Sequence, residues 1–200
     1  MRRMLYRCTT STRLRQPSKT PTYAPIVAAE LVYQLDEWYY HLPACLRFDR
    51  STEFNSNTVP SSPHTEFLRT QFYSCRTGVY WPAAYEAIRD SESTDHVDPA
   101  VDMFLHSYAG FMKSAAWSVR LCQPSQWVVY AAIFPMTLAV QKTLSVPYLR
   151  KHGPPDLDHC FHLARRTFKE IEGQNASLDY LGELLNEKLG AAENWVNRQE

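Results

Sequence analysis

Glycine is scarce in this chain, with six residues in 200, and none falls in the GxxxxGK or GxGxxG spacing. That removes the glycine-rich loops that cradle phosphates. Cysteine is scarce as well. Cys8, Cys45, Cys75, Cys122 and Cys160 are odd in number, lie far apart and form no CxxC pair. This argues against a disulfide framework and against paired-thiolate zinc ligation, and it fits a reducing compartment. There is no GxSxG elbow to carry a nucleophilic serine. No apolar core follows the N-terminal arginines, so no secretory signal is read. The longest apolar run, residues 127–140, falls short of the ~20 residues a membrane span needs, and Pro135 interrupts it. Strand-like alternation between hairpin turns is missing, as is any repeat at a fixed period. Net charge is absent too: Lys plus Arg and Asp plus Glu are both 21. Tight nucleic-acid binding needs a concentrated basic surface, which this balance does not supply.

What is present is a globular composition, 44% hydrophobic and 13% aromatic, at a length suited to one domain with a real core. The acids begin only at Glu30, after Arg2, Arg3, Arg7, Arg13, Arg15 and Lys19. Residues 1–24 therefore read as a basic, poorly ordered arm, and residues 25–200 as a helical domain. The arm also has the Arg-rich, acid-free look of a mitochondrial presequence, although its hydroxyl and β-branched run from Cys8 to Arg13 disfavours the helix a presequence needs.

Six helices follow from 3.6-residue periodicity. Val27, Leu31, Leu35, Trp38 and Leu42 share one face, with Pro43 as the stop. A polar linker spans residues 48–63. Ser62 caps a second helix with Pro63 at its first position and the stripe Leu68, Phe72, Cys75 and Val79. Pro82 is expected to kink or end it. Asp98 and Pro99 open a third helix with the stripe Val101, Phe104, Leu105, Tyr108, Met112, Ala115 and Val119. The fourth, residues 127–144, is apolar nearly all round and is read as the central helix. The fifth carries Leu157, Cys160, Phe161, Ala164, Phe168 and Ile171 and ends at Gly173. The sixth carries Leu178, Leu181, Leu185 and Leu189. The fold expected is an all-α irregular bundle.

Candidate chemistry is thin. His159 and His162 share a helical face beside Cys160, with His152 upstream, but a structural zinc site would want a fourth ligand at definite spacing. A packed Cys160 with histidines at a helix edge is the simpler reading. Asp36 and Glu37 are adjacent and so point apart on a helix. The aromatic run Trp38, Tyr39 and Tyr40 reads as core with a half-buried rim, and Trp81, Trp117 and Trp127 read the same way. No catalytic, cofactor or metal residues are assigned.

The spacing Leu31, Leu35, Trp38, Leu42, Pro43 resembles the regulatory, or middle-homology, domain of fungal zinc-cluster transcription factors. Leu68, Phe72, Tyr73 and Pro82 resemble that family's next helix, with Trp81 standing where the family has an arginine. The resemblance covers about residues 26–189. It implies a non-catalytic nuclear protein that acts by binding protein partners or a small-molecule effector, with no cofactor and no membrane association. The family's six-cysteine zinc cluster is absent, and so is the first half of the regulatory domain. The resemblance thus implies a C-terminal portion that packs on a missing upstream half and has no specific DNA binding of its own. The competing class is a small helical mitochondrial or metabolic accessory protein or enzyme.

Overall fold

A computed structural model describes residues 23–51, 62–89, 99–121 and 126–196, with side chains to residue 190. The chain is all-α. Among the described residues six helices follow one another: α1 (Pro25–Tyr40), α2 (Pro63–Arg89), α3 (Pro99–Leu121), α4 (Gln126–Leu144), α5 (Leu157–Lys169) and α6 (Ala176–Val196). Single 3₁₀ turns lie at Ala44–Leu46 and Pro147–Leu149. The arm 1–22, the cap Asp98 and the loop residues 52–61 and 90–98 lie outside the described residues.

The helix starts and stops follow local chemistry. Ser62 accepts from the Thr65 amide through Oγ and from the Glu66 amide through its carbonyl, with Pro63 at the first helical position. Past the end of α1, Arg47 folds back and donates to the carbonyls of Tyr40 and Leu42, which have no helical partner there. Beyond α5 the chain turns through Gly173 at φ +80°, a left-handed conformation that glycine reaches without a Cβ penalty. The helix itself has already ended at Lys169, four residues before the expected stop.

The core is built on α2 and α3, which share the most extensive contact in the molecule. α3 is buried on nearly every side, including Phe104, Leu105, Tyr108, Phe111, Met112 and Ala115. α4 and α5 pack on its far side and α6 packs on α4 and α5, while α1 packs on α2 and on no other helix among the described residues. This corrects the expectation that α4 is central. Of its residues only Val129, Tyr130, Ile133, Thr137, Val140 and Thr143 are buried, and Trp127 is 51% exposed. An apolar composition without a moment does not identify the middle helix. α3 wins that place because it carries small residues on its remaining faces. Ser107, Ala109, Gly110, Ser114, Ala116 and Ser118 let neighbours approach closely.

Pro82 does not end α2, which runs unbroken to Arg89. An interior proline costs about 3 kcal/mol. Tertiary packing offsets it: Val79, Ala83 and Ala84 are buried, Trp81 packs on Phe104 at 5.6 Å between ring centres, and the Tyr148 hydroxyl donates to the Ala87 carbonyl at 2.7 Å. Pro135 is likewise inside α4, on its solvent side, where water can satisfy the freed carbonyl. α4 is long and apolar enough by length and composition to cross a membrane, at a mean hydropathy of 1.2. A bundle helix satisfies the same criterion, so no span is assigned.

Gly110 sets the α2–α3 distance. A Cβ at this position would lie 2.6 Å from a ring carbon of Tyr73. Glycine inside a helix costs about 1 kcal/mol relative to alanine, so Gly110→Ala raises local propensity. The buried ring has nowhere to move, and overpacking costs about 1–3 kcal/mol. We expect Gly110→Ala to destabilise the chain by about 1 kcal/mol net, read from the urea midpoint, and Gly110→Val by more. A stabilised Gly110→Ala variant would contradict this packing.

Candidate functional site: a buried polar seam and an uncovered apolar face

Two places in the molecule depart from plain core and plain surface. The first is the N-terminal half of α2, where Glu66 and Arg69 are both buried, at 4% and 7% exposure. Against them lies the segment 48–51, held as a strap by side chains from two helices. The Tyr39 hydroxyl donates to the Phe48 carbonyl at 2.5 Å, and the Tyr73 hydroxyl to the Arg50 carbonyl at 2.6 Å. Arg69 donates through Nη2 to the Ser51 carbonyl at 2.9 Å. Arg50 in turn donates to Asp36 at 2.6 Å, and its guanidinium lies 4.6 Å from the centre of the Tyr39 ring. Phe48 sits buried between Tyr39 and Phe72. Phe48, the first residue of the expected polar linker, is therefore part of the core.

Glu66 Oε1 is buried with no hydrogen-bond partner. Burial drives the Glu66 carboxyl up to about 7, against a smaller opposing pull from the Arg69 guanidinium and a hydrogen bond with Ser114. Burial also lowers Arg69 and raises Tyr73. The buried hydroxyls along the seam are settled by back-bonding to the carbonyl four residues earlier: Thr70 to Glu66, Thr77 to Tyr73 and Ser114 to Gly110. Residue spacing offers no cue to Glu66 or Arg69. A Glu in a first helical turn normally reads as a solvated acid at the positive dipole end.

The second place is the outer side of α4 beside the start of α6. Trp127, Ala176, Ser177, Tyr180 and Leu181 line a shallow depression there. Tyr180 is 63% exposed, and Val128, Ala131 and Pro135 extend the uncharged surface along α4. Trp127 is thus a surface residue, not core as expected. A second exposed row, Ile26, Tyr33 and Tyr40, runs along α1 at seven-residue spacing.

The residues expected to carry family spacing divide by burial. Leu31, Leu35, Phe72 and Tyr73 are in the core. Trp38, Leu42, Leu68 and Pro82 are half-buried and Pro43 is exposed. Cys160 is fully buried beside the Lys113–Asp156 ion pair, and burial pushes its thiol up to about 12, far from a reactive thiolate. His159 and His162 face solvent, and His152 instead meets Asp102 at 3.0 Å. Among the described residues no three His, Cys, Asp or Glu side chains converge on a metal-sized site.

No family profile matches the chain, and no solved structure matches it. The chain is 31% identical over 195 residues to an Aspergillus rugulosus protein named putative transcription factor ecdB. That match takes in 96% of this chain and 36% of the other protein, so the chain spans about a third of its relative's length.

The buried carboxyl fixes the sign of one pH dependence. Glu66 is raised from 4.5 to about 7 on folding, so its contribution is complete below about pH 4.5 and is lost as pH rises through 7. The loss is at most about 3 kcal/mol at 1.36 kcal/mol per unit. We expect the stability difference between the parent chain and Glu66→Gln to shift in favour of Glu66→Gln across this window. Parallel urea-unfolding curves at each pH would measure it, and a difference independent of pH would contradict the burial of a titrating Glu66.

Proposed function

We propose that this chain is a portion of the regulatory region of a zinc-cluster transcription factor of the fungal type, working in the nucleus without catalysis. The observation that carries this reading is the similarity to a fungal protein named as a transcription factor across nearly the whole chain. The spacing of Leu31, Leu35, Trp38, Leu42 and Pro43, followed by Leu68, Phe72, Tyr73 and Pro82, supports the finer assignment to the middle-homology region.

The geometry supports contact work. The polar groups at the α2–α3 seam are buried away from solvent, so they frame the fold and present no open acid–base pair to a substrate. The outer face of α4 offers Trp127, Val128, Tyr180 and Leu181 to another surface. Aromatic residues half in and half out of an apolar patch are the groups that anchor protein interfaces. On this reading the partner is a protein surface, including other helices of a longer regulatory domain. A small-molecule effector would act by changing that contact.

A reporter assay tests the proposal. The chain, fused to a heterologous DNA-binding domain, is expected to change transcription from a matching promoter. Trp127→Ser with Tyr180→Ser should abolish the change while leaving folding stability within about 0.5 kcal/mol, because both side chains are exposed. A fusion without effect, or an effect untouched by the double substitution, would count against the contact surface. A tagged chain found in mitochondria with its N-terminus removed would overturn the nuclear reading.

A further inference from the structure

We propose that the basic arm, residues 1–22, docks back along the outer face of α1 and sets its arginines on the Tyr33 ring between Glu30 and Glu37, in the way Arg50 is set on Tyr39 and Tyr40 beside Asp36.

The charge of α1 is one-sided. Glu30, Asp36 and Glu37 lie on this helix, and it has no Lys or Arg of its own. Its outer side exposes Ile26, Tyr33 and Tyr40, and among the described residues the helix packs on α2 and on no other helix. At the C-terminal end of that row one base is already seated. The Arg50 guanidinium lies 4.6 Å from the Tyr39 ring centre and 5.6 Å from that of Tyr40, and it donates to Asp36 at 2.6 Å. A planar cation stacked on tyrosine and paired with a carboxylate is an arrangement that suits guanidinium better than ammonium.

Two turns earlier the same ingredients recur. Tyr33, 61% exposed, follows Glu30 by three residues and precedes Glu37 by four, so all three share one side of the helix. Glu30 accepts from Gln34 at 2.5 Å, which leaves carboxylate lone pairs for a further donor. Arg47, the other base close to the end of α1, is turned to the Tyr40 and Leu42 carbonyls.

The face therefore calls for arginine together with apolar side chains. A second copy of α1 brings three more carboxylates and is repelled. α5 carries Arg165, Arg166 and Lys169, but its apolar side is buried in the bundle and Arg166 meets Glu170. The arm meets both demands. Arg2, Arg3, Arg7, Arg13 and Arg15 are interleaved with Met4, Leu5, Tyr6 and Leu14, and no acid precedes Glu30. The Tyr23 amide donates to Glu86 at 2.6 Å, which fixes the entry of the chain at the Ile26 end of the row. Pro17 and Pro21 disfavour a helix that simply runs on upstream of α1. Reach is no obstacle: the 16 residues of α1 span about 24 Å, and an arm of this length can extend well beyond that. Each exposed contact is weak, and the covalent tether compensates by keeping the local concentration of the arm high.

Paramagnetic broadening of amide signals, measured on the full chain, tests the docking. Cys45→Ser and Cys122→Ser leave Cys8 for a nitroxide label, because Cys75 and Cys160 are buried. The docked arm is expected to broaden α1 most strongly at residues 30–37. An arm that is only tethered gives broadening that falls away steadily from Tyr23. The maximum should be lost in Tyr33→Ser with Glu37→Lys, two positions outside the core, and when the arm arginines are replaced by glutamine. Lysine at those arm positions should weaken it, since lysine keeps the charge without the planar stack. Mixing nitroxide-labelled chains with isotope-labelled, nitroxide-free chains should give no maximum, as the contact is within one molecule. Broadening that only decays from Tyr23, a maximum on another helix, a maximum that survives the paired substitution, or one that appears between molecules in the mixture would each overturn the docking.

Discussion

Where α2 crosses α3, the Tyr73 ring occupies the space that a side chain at residue 110 would need, and nothing bulkier than glycine fits beneath it. That close approach has consequences along the whole seam. It brings two helix backbones near enough for small hydroxyl residues, Thr70, Thr77, Ser107 and Ser114, to be buried while bonding their own helices. It aims the Tyr73 hydroxyl past the seam at the Arg50 carbonyl, so the segment leaving α1 is pinned by the same side chain that sets the helix spacing. It also leaves α3 enclosed, with α4 and α5 packed on its other side. Tyr108 meets Thr137 of α4 at 3.0 Å, Lys113 pairs with Asp156 at the start of α5, and Arg120 pairs with Glu170 at its end. The last of these is partly exposed and contributes little.

Periodicity made the helices legible because each carries a stripe of apolar residues at helical spacing, and those stripes are where the burial lies: Leu31 and Leu35, Phe72 and Val79, the α3 series from Val101 to Val119, Leu185 and Leu189. Rank within the bundle was not legible. α4 has the more apolar sequence, yet α3 is the buried one, because centrality depends on small residues admitting neighbours and not on mean hydropathy. Pro82 misleads for a related reason, since the cost of proline is local and the packing that outweighs it is not. Glu66 and Arg69 could not be found at all from spacing. Arg69 meets the end of the strap at Ser51, a contact between residues 18 apart in sequence through a loop with no pattern of its own.

The exposed rows on α1 and α4 and the buried polar seam tell a consistent story about how such a chain would work. The seam is internal, and most of its hydroxyls bond the chain itself. The rows are apolar, open and on the solvent sides of α1 and α4. An apolar surface of this kind is where another helix or protein docks. The relative from Aspergillus rugulosus is nearly three times as long as the matched region, so in that protein further chain is present beside it.

The central claim is that stability radiates from the α2–α3 seam outward, and residue-resolved hydrogen exchange on the 200-residue chain tests it most directly. Amides of α3 and the middle of α2 should exchange slowest, only through global unfolding, with α4 to α6 intermediate and α1, which packs on α2 alone, the fastest of the helices. Slowest exchange in α4, or equal protection in α1 and α3, would mean that the fold is held together somewhere other than Tyr73 and Gly110.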